Sequence, residues 1–287
     1  MESIKHPNLD PAEFFNSVID AKREKKEDTT YLKRVINLKD NNAQKLKDYS
    51  NSFSNNNIES LSPMNINSQI KDDLLSLYIY GAKPFRDLIQ NLNEQNGGHE
   101  IAKCPHCGVN TPSTLDHFLP KTVFPEFAIH PLNLIPCCPN CNGHKSEAWH
   151  RNGERACFNV YLDKEPDEQF LFCDVMIINN IPSALYRIDG YLVKDKELYA
   201  LIKRTFSILH LIELYNKASD EILKSLRKEI RHQSRNWKLS QDELFDYLLD
   251  CYKNEPCNDR DNVYCTALLN NEHSRNFFKE LLTSKKI

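Results

Sequence analysis

Apolar residues recur at helical spacing through roughly the first hundred positions and again from Leu198 onward, while the stretch between them carries short extended patterns. At the start, Asp10-Pro11-Ala12-Glu13 has the form of a capping box with proline at the first helical position. Leu9 and Phe14 make a hydrophobic staple around it, and a helix to about Lys26 is predicted. A second periodic run covers Thr30 to Tyr49. The Asn- and Ser-rich sequence from Ser50 to Ser68 reads as an exposed loop. Helices over about Gln69 to Tyr80 and Pro84 to Gln95 follow, broken by Gly81 and ended by Gly97-Gly98. Later, Glu168 to Ile178 (EQFLFCDVMII) and Ala184 to Val193 (ALYRIDGYLV) look like strands, with Asp189-Gly190 as a tight-turn signal. Leu198, Leu201, Ile202, Leu209 and Ile212 form one apolar stripe, and Ser240-Gln241-Asp242-Glu243 is a second capping box.

The chain of 287 residues is long enough for one large domain or two small ones. The start, MESIKHPNLDPAEFF, has no apolar signal core, and no run approaches the length of a membrane span. Ten cysteines with little paired spacing outside one block suit a reducing cytoplasm. The net charge of −3 excludes a globally basic nucleic-acid coat, so any grip on nucleic acid is local or lent by a partner. Lys224, Arg227, Lys228, Arg231, Arg235 and Lys238 recur at helical spacing with only Glu229 opposing them. A solvated helix face is the plainer reading and a backbone-tracking face the other.

The densest chemistry lies in Cys104 to Ser146 (CPHCGVNTPSTLDHFLPKTVFPEFAIHPLNLIPCCPNCNGHKS). Cys104 with Cys107 and Cys138 with Cys141 are two C-x-x-C knuckles, the spacing of a four-thiolate structural Zn²⁺ site. Cys137 lacks the two-residue gap to Cys141 and reads as a packed neighbour. Between the knuckles, Leu115 to Pro120 is an apolar-flanked strand pattern with Asp116 and His117 side by side. After them, Asn142 opens what reads as a helix through Lys145 and Glu147. A hard cation such as Mg²⁺ or Mn²⁺ takes oxygen ligands, which Asp116 and Asn142 can supply. A histidine, with an unperturbed pKa near 6.5, is the natural group to deprotonate water near neutrality, and His117 is expected to fill that role.

These residues resemble the HNH endonucleases, a ββα-metal family. The resemblance covers roughly residues 100 to 150. It implies that His117 is the general base, that Asp116 and Asn142 hold the catalytic cation, and that Asn133 pins the loop that orients the histidine. It also implies hydrolysis of a phosphodiester in DNA, double-stranded by expectation, to 5′-phosphate and 3′-hydroxyl ends. Lys121 and Lys145 become candidate phosphate contacts, since lysine acts as a point charge toward phosphate. His106 and His130 read as structural. Phe158-Asn159-Val160-Tyr161 through Glu168-Gln169-Phe170-Leu171 resembles effector subunits of bacterial anti-phage systems, which implies an ATPase partner.

The fold expected is α+β and predominantly helical. A ββα core clamped by zinc has helical flanks on both sides and a small β-hairpin region after it. The boundaries are a helical region 1–98, a nuclease core 99–152, and strands followed by helices over 153–287. A zinc-stabilised nucleic-acid or protein binding module without cleavage, and an RNA-directed nuclease, are the alternatives. The late Cys251, Cys257, Cys265 and His273 fit no zinc template.

Overall fold

The computed structural model describes residues 1–151 and 153–283. The chain divides into two compact units, Met1–Glu165 and Pro166–Ile287, with mixed α/β structure built from many helices and three two-stranded sheets. Among the described residues no helix is long and apolar enough to cross a membrane.

In the first unit, α1 (Pro11–Asp20) starts where the sequence predicts, because Asp10 accepts from the backbone N–H groups of Ala12 and Glu13 at 2.9 Å. It ends six residues before Lys26. Beyond Ala21 the chain reads KREKKED, which offers nothing apolar to bury, and the Lys22 ammonium ties instead to the carbonyls of Ser76 and Leu77. Helix α2 (Tyr31–Ser54) runs past Tyr49 because its buried stripe continues through Leu46 and Tyr49 to Phe53. The polar stretch after it is anchored by a 3-10 turn at Ile58–Ser60 whose Ile58 is fully buried, so it is not a free loop. Helix α3 (Ser68–Leu75) is capped by Asn67, and α4 (Lys83–Gln95) buries Phe85, Leu88 and Leu92.

Apolar side chains of all four helices share one cluster with Leu115, Ile129 and Leu134. Burying each large aliphatic or aromatic side chain there contributes about 1.5–3 kcal/mol. The cluster therefore fuses the helical layer to a short hairpin, β1 (Thr114–His117) and β2 (Leu134–Cys137), paired antiparallel with Asp116 opposite Ile135 and His117 opposite Leu134. Helix α5 (Pro139–Lys145) follows at once. It begins three residues before Asn142, since Cys138 serves as its N-cap and Pro139 takes the first turn, and Ser146 at φ 46° stops it before Glu147. A minimal pair, β3 (His150–Arg151) and β4 (Glu154–Arg155), closes the unit.

The second unit opens with a hairpin of β5 (Leu171–Ile178) and β6 (Ile181–Ile188). Its turn is Asn179-Asn180, with φ 52° and 62°, and Asp189-Gly190 lies past the end of β6. A two-residue hairpin turn needs left-handed backbone at both positions, which asparagine tolerates. Gly190 has a different reason to be glycine: a Cβ there would stand 2.3 Å from the Tyr199 ring. Helix α6 (Lys196–Ile208) and α7 (Leu211–Asn236) split the predicted stripe at His210, which sits in the left-handed region at φ 52°. Helix α8 (Gln241–Lys253) carries the complete Ser240–Glu243 capping box, and α9 (Arg260–Asn270) and α10 (Glu272–Thr283) complete the unit.

Candidate functional site

The first knuckle turns because the N–H groups of Cys107 and Gly108 donate to the Cys104 carbonyl, at 3.2 and 2.7 Å, with Gly108 at φ 64°. The second turns at the α5 N-terminus, where the Cys138 sulfur accepts from Cys141 N–H and from the Asn110 side-chain amide. The four sulfurs of Cys104, Cys107, Cys138 and Cys141 lie within 4.8 Å of one another, and all four residues are buried. A tetrahedral zinc with Zn–S near 2.3 Å requires sulfurs about 3.8 Å apart. Cys107 and Cys138 stand at 3.9 Å, and all four thiols are free of disulfides. The cluster therefore has the geometry and donor chemistry to hold a metal such as zinc. Cys137 stays in the β2 ladder, its thiol donating to the Cys138 carbonyl. Among the described residues no other group of three or more His, Cys, Asp or Glu has this geometry, the late Cys251, Cys257, Cys265 and His273 included.

One strand away, β1 presents Asp116 and His117, both buried. The His117 Nε2 lies 2.9 Å from the Ala128 carbonyl. A carbonyl can only accept, so Nε2 carries the hydrogen and Nδ1 keeps its lone pair. Burial, then the nearby positive charge of Lys121, pushes the His117 pKa down to about 4, against the opposing pull of the Ala128 bond and Asp116. The imidazole is therefore neutral at neutral pH. Its ring packs edge-on against Tyr78 at 4.5 Å, and the half-buried Lys121 ammonium lies 4.7 Å from the same tyrosine ring.

The carbonyl that holds His117 belongs to the loop between β1 and β2, which Asn133 closes. Fully buried, Asn133 accepts from Leu119 N–H at 2.7 Å and donates to the carbonyls of Leu119 and Phe127 at 3.1 and 3.0 Å. The Tyr49 hydroxyl donates to its amide oxygen at 3.1 Å. Helix α2 supports the same loop twice more. Asn42 donates to the Glu126 carbonyl, and His130 Nε2 lies 3.2 Å from the Leu46 carbonyl. His130 also caps the 3-10 turn at Pro131–Asn133.

Helix α5 lies along β1 with Asn142 beside Thr114 and Lys145 one turn further on. The Asn142 amide donates to the Thr114 hydroxyl at 3.1 Å. Lys145 is buried at 1 % exposure, with its ammonium 3.0 Å from Asp116 Oδ2 and 2.8 Å from the His117 carbonyl. The structure thus pairs Asp116 with Lys145, which is buried and not presented to solvent as a phosphate contact. His106, inside the first knuckle, is buried with both ring nitrogens lacking a hydrogen-bond partner.

Several participants escaped the sequence reading. Tyr49 and Asn42 sit in a helical stripe that looks like ordinary core, and their bonds to the loop span 84 residues. The Ala128 carbonyl carries no side-chain signal at all.

The site so defined is a buried four-cysteine cluster able to hold a metal, next to an acidic-His strand. No family model matches the chain. The chain is similar to protein ea31 of Escherichia phage lambda, 31 % identical over 107 residues, which is 36 % of this chain and 34 % of that protein. It is also similar to Septu protein PtuB of Bacillus thuringiensis, 27 % identical over 117 residues, covering 39 % of this chain and 37 % of that protein. The chain thus spans little more than a third of the length of these relatives. No solved structure matches.

Proposed function

We propose that the chain is a metal-dependent HNH-type endonuclease that hydrolyses phosphodiester bonds in double-stranded DNA. The observation that carries this reading is the state of His117: a neutral imidazole whose Nε2–H is fixed on the Ala128 carbonyl, which leaves Nδ1 as a base. Asn133 holds the loop that supplies that carbonyl, so histidine and support are preorganised as one unit. In the reaction His117 Nδ1 takes the proton of the attacking water, and burial, aided by the charge of Lys121, keeps it uncharged beforehand.

The catalytic cation would be held by Asp116 and Asn142 and would supply positive charge to the phosphoryl oxygens. The chemistry of the donors suits this, because buried Asp116 Oδ2 lacks a well-formed hydrogen bond although Lys145 stands 3.0 Å away. Zinc in the four-cysteine cluster would keep β2 and α5 in register with the first knuckle.

The similarity to Septu protein PtuB supports placing this nuclease in bacterial anti-phage defence. Restraint until an ATPase partner subunit releases it is what the resemblance of the segment from Phe158 to Leu171 to effector subunits implies. The Lys145–Asp116 ion pair favours a second reading, a zinc-stabilised binding module. A buried ammonium that neutralises the acidic residue is what a purely structural pair would look like.

The test is incubation with supercoiled plasmid and Mg²⁺ or Mn²⁺, beside a His117→Ala variant, with and without the co-purified partner. Cleavage that falls about 100- to 10,000-fold in the variant supports the general base. Equal cleavage by both proteins removes His117 from the mechanism. No cleavage under any condition leaves the binding module. Faster cutting of a matched RNA duplex would reassign the substrate.

A further inference from the structure

Positive charge in the second unit is concentrated on one stretch of α7. Counting 3.6 residues per turn, Lys224, Lys228, Arg231 and Arg235 fall within a sector of about 60° that extends about 16 Å along the axis. That sector lies opposite the buried face made by Ser219, Ile222, Leu226 and Ile230. Lys224, Lys228 and Arg235 are exposed and Arg231 is half-buried.

Several arginines elsewhere in the chain are engaged in ion pairs: Arg34 with Asp28 and Asp73, Arg155 with Asp163, Arg275 with Asp246. On this sector none of the four has an ion-pair partner among the described residues. Exposed Asp220 and Glu221, one turn before Lys224, make no ion pair with it, and two further acids are engaged elsewhere. Glu229 accepts from the Tyr252 hydroxyl at 2.8 Å, and Asp242 of α8 pairs with Lys279 at 2.7 Å.

Such a face has a cost in isolation. Lys224 with Lys228, and Arg231 with Arg235, are like-charge pairs four residues apart, each unfavourable by about 0.2–0.5 kcal/mol. The helix dipole favours only the last turn, where Arg235 alone of the four resides. A polyanion would compensate the rest.

We propose that this face of α7 grips the phosphate backbone of duplex DNA without reading sequence. About five phosphates of one strand fall within its length, at 3.4 Å of duplex axis per phosphate. Local concentration of charge also reconciles DNA binding with a net charge of −3. The proposal takes from the nuclease reading only the choice of DNA as the polyanion.

The experiment is fluorescence anisotropy of a labelled DNA duplex with the full chain over a salt series, without added Mg²⁺ or Mn²⁺. Each phosphate contact contributes about 0.9 to the slope of log K against log salt. Replacing Lys224, Lys228, Arg231 and Arg235 together by Gln should therefore lower the slope by about 3 to 4. If that variant fails to fold by circular dichroism, the single substitutions decide instead, each lowering the slope by about 0.9. Lys224→Arg with Lys228→Arg should keep the wild-type slope. An unchanged slope in the Gln variants, or a wild-type chain with no affinity for duplex DNA, overturns the proposal. Wild-type binding that these substitutions weaken, without cleavage when metal and the co-purified partner are both added, would refute the nuclease and leave this surface standing.

Discussion

Asn133→Ala is the perturbation that most directly examines how the site is held. Two of the asparagine's bonds have no substitute, because the Leu119 N–H loses its acceptor and the Leu119 carbonyl its donor, while the Phe127 carbonyl loses one of two donors and keeps the His130 N–H at 3.1 Å. The Tyr49 hydroxyl retains the Leu132 carbonyl at 3.3 Å, so it is not stranded. At about 1 kcal/mol for each lost bond, and more where a buried group is left unpaired, the first unit should lose about 3–5 kcal/mol. Tyr49→Phe removes a hydroxyl with little left unpaired and should cost about 1 kcal/mol or less. Trp149 provides the probe, since its ring packs edge-on against Phe124 in the same loop at 4.9 Å. In a Trp237→Phe background it is the sole tryptophan, and urea titration of its emission reports this unit. Cleavage should fall with loop order while bound zinc is retained, because the cysteine cluster lies outside the loop. A loss below about 1 kcal/mol for Asn133→Ala would refute the view that this one side chain closes the loop.

Acid should destabilise the first unit through its buried histidines. Burial pushes the His130 pKa down to about 3, far below the ordinary 6.5, so its unfolded form binds the proton first. Stability is then fully present above pH 6.5 and falls as pH drops from there toward 3, with a slope approaching about 1.4 kcal/mol per pH unit for this residue alone. His130→Phe should flatten urea midpoints measured across that range, and an unchanged slope would contradict the burial argument. Cys141→Ser should abolish tight metal binding, measured as zinc content of the purified protein against about one zinc per wild-type chain. Gly190→Ala should lower thermal stability by about 1–3 kcal/mol through the Tyr199 clash. Tyr199→Ala in the same chain should recover part of that loss, and independent, additive effects would count against the contact.

What was legible in the sequence is what local chemistry dictates. Asp10 and Ser240 cap their helices because a side-chain acceptor next to free N–H groups needs no distant partner. The cysteine knuckles are legible because two residues of spacing already fix the turn. The hairpin turn was misplaced because Asp-Gly is the stronger local signal. Tertiary packing instead uses Gly190 to admit Tyr199 and leaves the turn to Asn179-Asn180. The ends of α1 and α2 moved for similar reasons, one losing apolar residues to bury and the other gaining Phe53. The loop support from Tyr49 and Asn42 was illegible in principle, since nothing in their neighbourhoods records a partner 84 residues away.

Lys145 shows why the candidate site cannot be divided cleanly into structural and reactive parts. Its ammonium joins the Asp116 carboxylate to the His117 carbonyl, so a single buried cation ties α5 to the two residues on β1 that carry the proposed chemistry. A buried ion pair adds little net stability, because desolvation offsets the attraction, but removing one partner leaves the other charge stranded. The pair therefore acts less as a source of stability than as a constraint on position. It occupies part of the carboxylate that an oxygen-ligated cation would use. A cation bound there would have to compete with the lysine for Asp116. The strength of that competition, rather than the presence of the acidic-His strand alone, separates a cutting enzyme from a protein that only binds.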